Sequence, residues 1–208
     1  MIKQNQVIII STTVEDSHSI QIQPKSSFKE KVSDCQFYRK ANVKITERSV
    51  LKSLSSLKST YDLIAVEPTS QQLFNECCQN KSIDIISLNF SEFDYQLTNS
   101  LLQKAVSNGI FFEIPLNSLF SIEDDEQLMK IVSKINKMYH QLQGKNIIMT
   151  NGINSNDDKV DNYSLLEKVV SLGFSYQLAV QCLCCNSMRC ITRCKRRYPF
   201  QCIVLNKH

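Results

Sequence analysis

The stretch from Tyr61 to Phe90 restricts the possible folds of this chain more than any other part of it. Its Leu63–Val66 run is apolar without interruption, which favours a strand buried on both faces, as in a parallel sheet. Pro68 ends this strand because it lacks the amide hydrogen that a ladder needs. Thr69 or Ser70 can cap a helix, and a second apolar strand follows, so the stretch predicts a right-handed βαβ unit. The apolar face of the helix consists of Leu73, Phe74, Cys77 and Cys78.

The same alternation of strand and helix continues to about residue 150 and then stops. The last third predicts three successive helices, the last of which starts at Asn186 or Ser187 and ends near Arg197. An eight-stranded barrel of this type takes about 250 residues. Six strands and a helical tail in 208 residues therefore predict an incomplete or partly open parallel barrel, or an open doubly wound sheet. The predicted strands lie near residues 7, 43, 63, 85, 112 and 148.

Several element boundaries can also be predicted. Residues 15–38 are polar without a clear period and are expected to form a loop. Thr98 and Ser121 are expected to begin two helices, the second being the longest of the chain. Gly109 follows the first of these helices, where a left-handed residue is favoured.

Composition indicates a single globular domain over residues 1–208. The hydrophobic fraction is 42% and the net charge is +4, which permits an acidic partner without identifying one. No apolar run is long enough to span a membrane, and the apolar run at Val7–Ile10 is too short for a secretory signal. The cysteine count, nine, is odd, which favours reduced thiols in the nucleus or cytosol.

The end of the chain is strongly basic. In the predicted last helix, Arg189 and Arg193 are four residues apart and fall on one side, with Met188 and Ile191 expected to pack on the other. The arginine guanidinium is a fixed fork of donors that suits phosphate oxygens. RNA contact is therefore predicted here, the alternatives being a solvated charged face or a nuclear import signal. The predicted RNA-binding residues are Arg189, Arg193, Lys195, Arg196 and Arg197.

A second basic span runs from Lys25 to Lys58. It holds nine lysines and arginines against three acids, a local excess of +6 (9 − 3). Such an excess could form a second RNA surface whose affinity depends on salt. Solvated lysines on a loop and one helix are the equally plausible interpretation.

Metal chemistry is not expected. Cys182 with Cys185, and Cys190 with Cys194, have spacings that could build a four-cysteine zinc site. Zinc ligands usually lie on knuckle turns, however, and these pairs fall inside predicted helices, so packed thiols are the favoured interpretation. Neither a metal nor any other cofactor is predicted.

A hydrolase of the metal-dependent barrel type needs several histidines and carboxylates at the carboxyl ends of its strands. The three histidines are His18, His140 and His208, and none of them falls at such a position. Only Glu67 and Glu113 lie near strand ends, where they could bind one weak cation or hydrogen-bond to the barrel rim. No catalytic residue is therefore predicted, and a metal-dependent phosphoesterase remains the alternative function.

Several blocks of the sequence, each weak alone, are specific in their order and spacing. Together they resemble the thirty-kilodalton TIM-barrel protein subunit of eukaryotic and archaeal ribonuclease P, which eukaryotes share with RNase MRP. The resemblance covers roughly residues 40–197. The blocks are Tyr61–Pro68, Gln72–Phe74, Ile83–Ile86, Ala105–Phe112, Glu113, Gly144–Ile148 and Leu172–Ser175.

The resemblance implies a barrel related to the polymerase-histidinol-phosphatase fold. It also implies a noncatalytic role in removing the 5′ leader of precursor tRNA, and possibly in rRNA processing, in the nucleus and nucleolus. The implied partners are the ribonuclease P or MRP RNA and a small ferredoxin-like protein subunit, with precursor tRNA engaged indirectly and no membrane. Members of the family begin with a further strand and helix, so the barrel is expected to be incomplete at its N-terminus.

Overall fold

The computed structural model describes residues 6–14, 35–151 and 162–197, with side chains for 38–151 and 163–194. Within these ranges, parallel strands form one six-stranded sheet, and their order in the sheet is their order in the chain. The strands are β1 Gln6–Val14, β2 Cys35–Ile45, β3 Leu63–Pro68, β4 Ile85–Ser87, β5 Phe111–Pro115 and β6 Ile147–Thr150.

Helices connect and follow these strands. In a doubly wound sheet the strand order reverses at a switch point, whereas here each new strand is added to the same edge. The sheet is therefore wound in one direction, as the wall of a TIM-like barrel is, which confirms the predicted fold class. The helices are α1 Arg48–Leu57, α2 Gln71–Gln79, α3 Asn99–Asn108, α4 Leu116–Phe120, α5 Asp125–Gln141, α6 Asn162–Ser171, α7 Tyr176–Val180 and α8 Asn186–Arg197.

Alternation along the strands divides the core between the two faces of the sheet. Ile64 and Val66 of β3 pack with the helices in the larger cluster, whereas Leu63 and Ala65 belong to a smaller cluster on the opposite face. The smaller cluster also contains residues of β4, β5 and β6 together with two cysteines of α8. Helix α8 therefore covers the inner face near the edge at which the strands begin. The inner cluster is Leu63, Ala65, Ile85, Phe111, Ile148, Cys190 and Cys194.

A buried ion pair crosses the inner face. Lys40 of β2 donates to both carboxylate oxygens of Glu113 of β5, at 2.7 and 2.9 Å. Strands β2 and β5 are three strand spacings apart, about 14 Å in a flat sheet. Side chains that stand perpendicular to a flat sheet would not meet over that distance, so the contact indicates a concave inner face.

Local capping signals fix several helix ends. The Ser70 hydroxyl accepts a hydrogen bond from the Leu73 amide at the start of α2, and Gly109 adopts φ 74° at the end of α3, both as predicted. The prediction that Ser121 begins the longest helix is wrong. Asp124 caps that helix, α5, because the short helix α4 occupies the residues that precede Ser121.

Strand β2 also differs from the prediction, since it starts at Cys35 within the segment expected to be a loop. Its polar inner residues, such as Lys40, hide the alternation that would identify it. Residues 15–34, the rest of that expected loop, lie outside the described part of the chain.

The tail is helical, as predicted, but its last two helices are joined. A π-helical turn, Gln181–Cys185, links α7 directly to α8. No helix in the described ranges is both long and apolar enough to cross a membrane.

Candidate nucleic-acid interface

Helix α8 lies along the edge of the sheet at which the strands begin. Its first residue, Asn186, contacts the backbone that leads into β6, and Arg193 contacts the residue that ends α3, just before β5. The carboxyl ends of the strands, where TIM-barrel enzymes place their active sites, form the opposite edge. The basic helix and Glu67, near the carboxyl end of β3, are thus at opposite edges of the sheet, whereas Glu113 lies in the middle of β5.

Asn186 joins α8 to the sheet. Its side chain is fully buried, and its amide nitrogen donates to the carbonyls of Gly144 and Ile147 at 2.9 and 2.7 Å. Its side-chain oxygen accepts from Gln181 at 3.2 Å and from Arg189 at 3.3 Å. The amide is thus bonded on both sides, as a buried polar group requires, and it fixes the position of the helix start.

Arg193 forms the second attachment of α8. Its Nη2 donates to the carbonyl oxygen of Asn108 at 2.5 Å, at the C-terminal end of α3. The guanidinium lies against Gly109, where an added Cβ would be 0.9 Å from Nη1. Only a residue without a side chain leaves that space, so Gly109 has a packing role besides its left-handed backbone.

The outward side of α8 combines charge with an apolar surface. Arg189, Arg193, Met188 and Thr192 line a groove of about 390 Å³. Met188 is 51% exposed, so the prediction that it packs on the inner side is wrong, whereas Ile191 is buried as predicted. The helix turns Cys190 and Cys194 inward instead, and this leaves Met188 beside the arginines.

The structure therefore brings together two of the five predicted RNA-binding residues. Arg189 is exposed, and Arg193 is half-buried in its contact with Asn108. Lys195, Arg196 and Arg197 belong to the last turn of α8, and their side chains lie outside the described part. RNA contact by these five residues stays a prediction.

Acidic side chains pair with three of the basic residues in the described part of the second basic span. Lys40 is buried against Glu113, and is not accessible to RNA. Lys44 binds Glu92 at 2.7 Å, and its pKa is raised by that hydrogen bond. The Arg48 Nε donates to Glu76 at 2.6 Å. Residues 25–34 of this span lie outside the described residues.

The two predicted rim carboxylates have different environments. Glu113 is buried, with Lys40 on both oxygens and the Thr150 hydroxyl donating to Oε1 at 3.0 Å. The ammonium therefore occupies the lone pairs that a cation would need. Glu67 is half-buried, and burial raises its pKa, with Lys44 3.8 Å away acting in the opposite direction.

The cysteines considered for zinc are divided between different surroundings. Cys182 packs in the larger core cluster, Cys185 is exposed, and Cys190 and Cys194 are residues of α8 that pack in the inner cluster. In the ranges with described side chains, no three or more histidines, cysteines and acids form a group that could hold a metal ion.

Sequence reasoning missed the residues that position the site. Asn186 reads as a helix cap, Gly109 as a helix end and Lys40 as a surface charge, but all three make buried contacts with partners far along the chain. For Asn186 one signal was available, since Cys190 and Cys194 follow it at four-residue spacing and place it on the apolar side of the helix.

Comparisons with known proteins identify a family and several relatives of this chain. A family model described as RNase P subunit p30 matches residues 4–198. Protein GAMETOPHYTE DEFECTIVE 1 of Arabidopsis thaliana is 24% identical over 167 residues, which are 78% of this chain and 28% of that protein. The Ribonuclease P protein subunit drpp30 of Dictyostelium discoideum is 28% identical over 137 residues, covering 65% of this chain and 36% of that protein. The chain thus spans about a third of the length of these two relatives.

A solved structure has the same fold. A chain of the cryo-EM structure of archaeal Ribonuclease P with mature tRNA aligns with a TM-score of 0.68 and 12% identity. The alignment covers 85% of this chain and 76% of that one. The family match extends over nearly the whole sequence, including the sheet and helix α8. The chain belongs to the RNase P subunit p30 family.

Proposed function

We propose that this chain is a noncatalytic protein subunit of the ribonuclease P ribonucleoprotein, in which the RNA cleaves the 5′ leader from precursor tRNA. The observation that carries the proposal is the family match over residues 4–198. The family resemblance extends the proposal to the RNase MRP particle and rRNA processing. The site of action would be the nucleus and the nucleolus.

Helix α8 is the proposed RNA-binding element. Its exposed Arg189 and the basic residues of its last turn, Lys195, Arg196 and Arg197, offer positive charge along one helix. Contacts from arginine and lysine to phosphate oxygens supply salt-dependent affinity without reading sequence. The helix is attached to the sheet through Asn186, so the start of the helix, beside Arg189, is held in place.

The proposed partners are the ribonuclease P or MRP RNA and a small ferredoxin-like protein subunit of the same particle. Precursor tRNA would be engaged only through the particle. Relatives from Dictyostelium discoideum, Schizosaccharomyces pombe and mouse carry names of ribonuclease P protein subunits, and these names support the assignment to a ribonucleoprotein.

The arrangement of Lys40 and Glu113 supports a noncatalytic role over the alternative of a metal-dependent phosphoesterase. A metal site needs carboxylate oxygens directed at a shared cation, and here the Lys40 ammonium binds both oxygens of Glu113. The inner face of the sheet is therefore internally neutralised at this point.

Depletion and add-back test the proposal. Extract from cells depleted of the chain is expected to accumulate precursor tRNA with an uncut 5′ leader, and added purified chain is expected to restore cleavage. Purified chain with divalent metal and no RNA is expected to leave a phosphoester substrate intact. Normal leader removal after depletion would contradict the proposed role, and hydrolysis by the chain alone would favour the phosphoesterase.

A further inference from the structure

We propose that Arg193 anchors α8 and that Arg189, flanked by Met188 and Thr192, is the RNA-contacting residue that this anchor orients. The inference rests on the proposed function, because it divides the predicted RNA-binding arginines into one contact and one positioning residue. The partner of the outer face is RNA phosphate, with Met188 offering an apolar surface to an adjacent nucleotide.

Arg193 is committed to the protein. The Cζ and Nη1 atoms of its guanidinium lie 1.6 and 0.9 Å from where a Cβ of residue 109 would be, so the group fills the space above Gly109. Its Nη2 donates to the Asn108 carbonyl at 2.5 Å. The hydrogen bond uses only one N–H donor, as the bond of Arg189 does, so the packing against Gly109 is what distinguishes Arg193 as an anchor.

The C-terminal end of α3, where the Arg193 guanidinium lies, also favours a cation. The last carbonyls of a helix lack partners within it and carry the negative end of the helix dipole. Helix α3 ends at Asn108, and Arg193 meets it there. The arginine therefore stabilises the end of α3 while it holds the middle of α8 against the rim of the sheet.

Arg189 is placed differently, one turn earlier on α8. It is exposed, and one Nη1 hydrogen bond, to the buried Asn186 at 3.3 Å, steadies its guanidinium. An arginine presents five N–H donors in a fixed fork, so a guanidinium steadied in this way can still bind phosphate oxygens. The groove beside it includes Met188 and Thr192 and lacks a carboxylate among the described residues that line it.

Salt dependence separates the two roles. The logarithm of the binding constant falls as the logarithm of the salt concentration rises. Removing one phosphate contact reduces the magnitude of this slope by about 0.7 to 0.9. Removing an anchor leaves the bound contacts unchanged and adds the cost of ordering the helix, so affinity falls at every salt concentration while the slope stays the same. We expect Arg189→Ala to reduce the magnitude of the salt slope. We expect Arg193→Ala to weaken binding roughly tenfold while the slope stays unchanged.

Two glycines provide a matched test of the anchor. Gly109 and Gly173 both have positive φ, 74° and 93°, but an added Cβ at Gly173 meets nothing within 4 Å. Gly173→Ala therefore introduces backbone strain alone, whereas Gly109→Ala also displaces Arg193. Hydrogen exchange of the α8 amides should accelerate at least several-fold in Gly109→Ala and in Arg193→Ala, and stay unchanged in Gly173→Ala.

The experiment measures the full chain against a transcribed ribonuclease P RNA across a salt series, with hydrogen exchange on the free protein. Lys137→Ala, which removes an exposed charge from α5, is the charge control and should leave the slope unchanged. An equal slope loss in Arg193→Ala and Arg189→Ala would overturn the division of roles, as would unchanged exchange of α8 in Gly109→Ala.

A failure of the proposed function can be distinguished from a failure of the division of roles between Arg189 and Arg193. If the unmodified chain binds ribonuclease P RNA no better than an unrelated structured RNA, the RNA-facing role of Arg189 and the proposed function both fail. The glycine comparison uses no RNA and decides the anchoring role of Arg193 separately. An unchanged slope in Arg189→Ala together with strong specific binding would reject only the outer face of α8 as the contact.

Discussion

Lys40 and Glu113 form an ion pair across the inner face of the sheet, although two other strands lie between the strands that carry them. The Lys40 ammonium lies 2.7 Å from Glu113 Oε1, and both side chains are buried. Their residues are 73 positions apart in the sequence. The pair therefore ties β2 to β5 across the concave inner face of the sheet.

Removing one member of this pair should be much more costly than removing both. Lys40→Met leaves a buried carboxylate uncompensated, which typically costs about 3–5 kcal/mol of unfolding free energy. The double variant with Glu113→Leu should recover a large part of that loss. Urea unfolding measures both, and Lys44→Met, which breaks exposed pairs on the same strand, should cost only about 0–1 kcal/mol. Equal losses at Lys40 and Lys44 would contradict a buried role for the pair.

Asn186→Asp should release the start of α8 from the sheet. The change replaces two donated hydrogen bonds, to the carbonyls of Gly144 and Ile147, by repulsion between oxygens. Leaving buried groups unsatisfied costs about 1–3 kcal/mol each. Hydrogen exchange of the α8 amides should rise several-fold more than in Ser187→Ala, which alters the neighbouring half-buried hydroxyl. Equal protection in the two variants would argue against Asn186 as an attachment point.

Ser70→Ala should cost more stability than Thr98→Ala. Both residues occupy the position before a helix, but only the Ser70 hydroxyl accepts a hydrogen bond from the first turn. Loss of such a cap costs about 1 kcal/mol. Thermal unfolding of the two variants makes the comparison, and a larger loss in Thr98→Ala would contradict the capping assignment.

The thiols should separate into two classes on alkylation. Burial raises the pKa of Cys78 and Cys182 to about 12, whereas Cys184 and Cys185 are exposed. Because only the thiolate reacts, iodoacetamide at about pH 8 should modify the exposed pair of the native protein and spare Cys78 and Cys182. Mass spectrometry of the modified peptides reads the result, with protein unfolded in urea as the control.

The raised pKa values of these buried thiols also make the protein less stable at alkaline pH. A thiol in the unfolded chain loses its proton from about pH 9 upward, while buried Cys78 and Cys182 keep theirs until about pH 12. The unfolded state then binds fewer protons than the native state, so stability falls as pH rises through this window. Cys182→Ala should make the decline of the melting temperature shallower, and an unchanged decline would contradict the burial of that thiol.

Much of the fold is predictable from local signals. The Leu63–Val66 run, the Ser70 cap and Gly109 each act within a few residues, and each is found as expected. Helix α4 was missed because its five residues follow β5 without a gap, and the full extent of β2 was missed because the charged Lys40 lies on its inner face.

The candidate site was only partly predictable. The spacing of Arg189 and Arg193 places them on one side of a helix, which the structure confirms. Their different surroundings arise from contacts that are distant in sequence, since Arg193 meets a residue 85 positions away. No periodicity within α8 encodes that contact, so sequence alone could not distinguish an anchor from a free charge.

Association with ribonuclease P RNA is what the proposed role of this chain requires above all. Purifying the tagged chain from its own cells and sequencing the RNA that accompanies it measures this association. Strong enrichment of the ribonuclease P RNA, with or without the MRP RNA, is the predicted result. Recovery of bulk tRNA and messenger RNA in proportion to their abundance would contradict it.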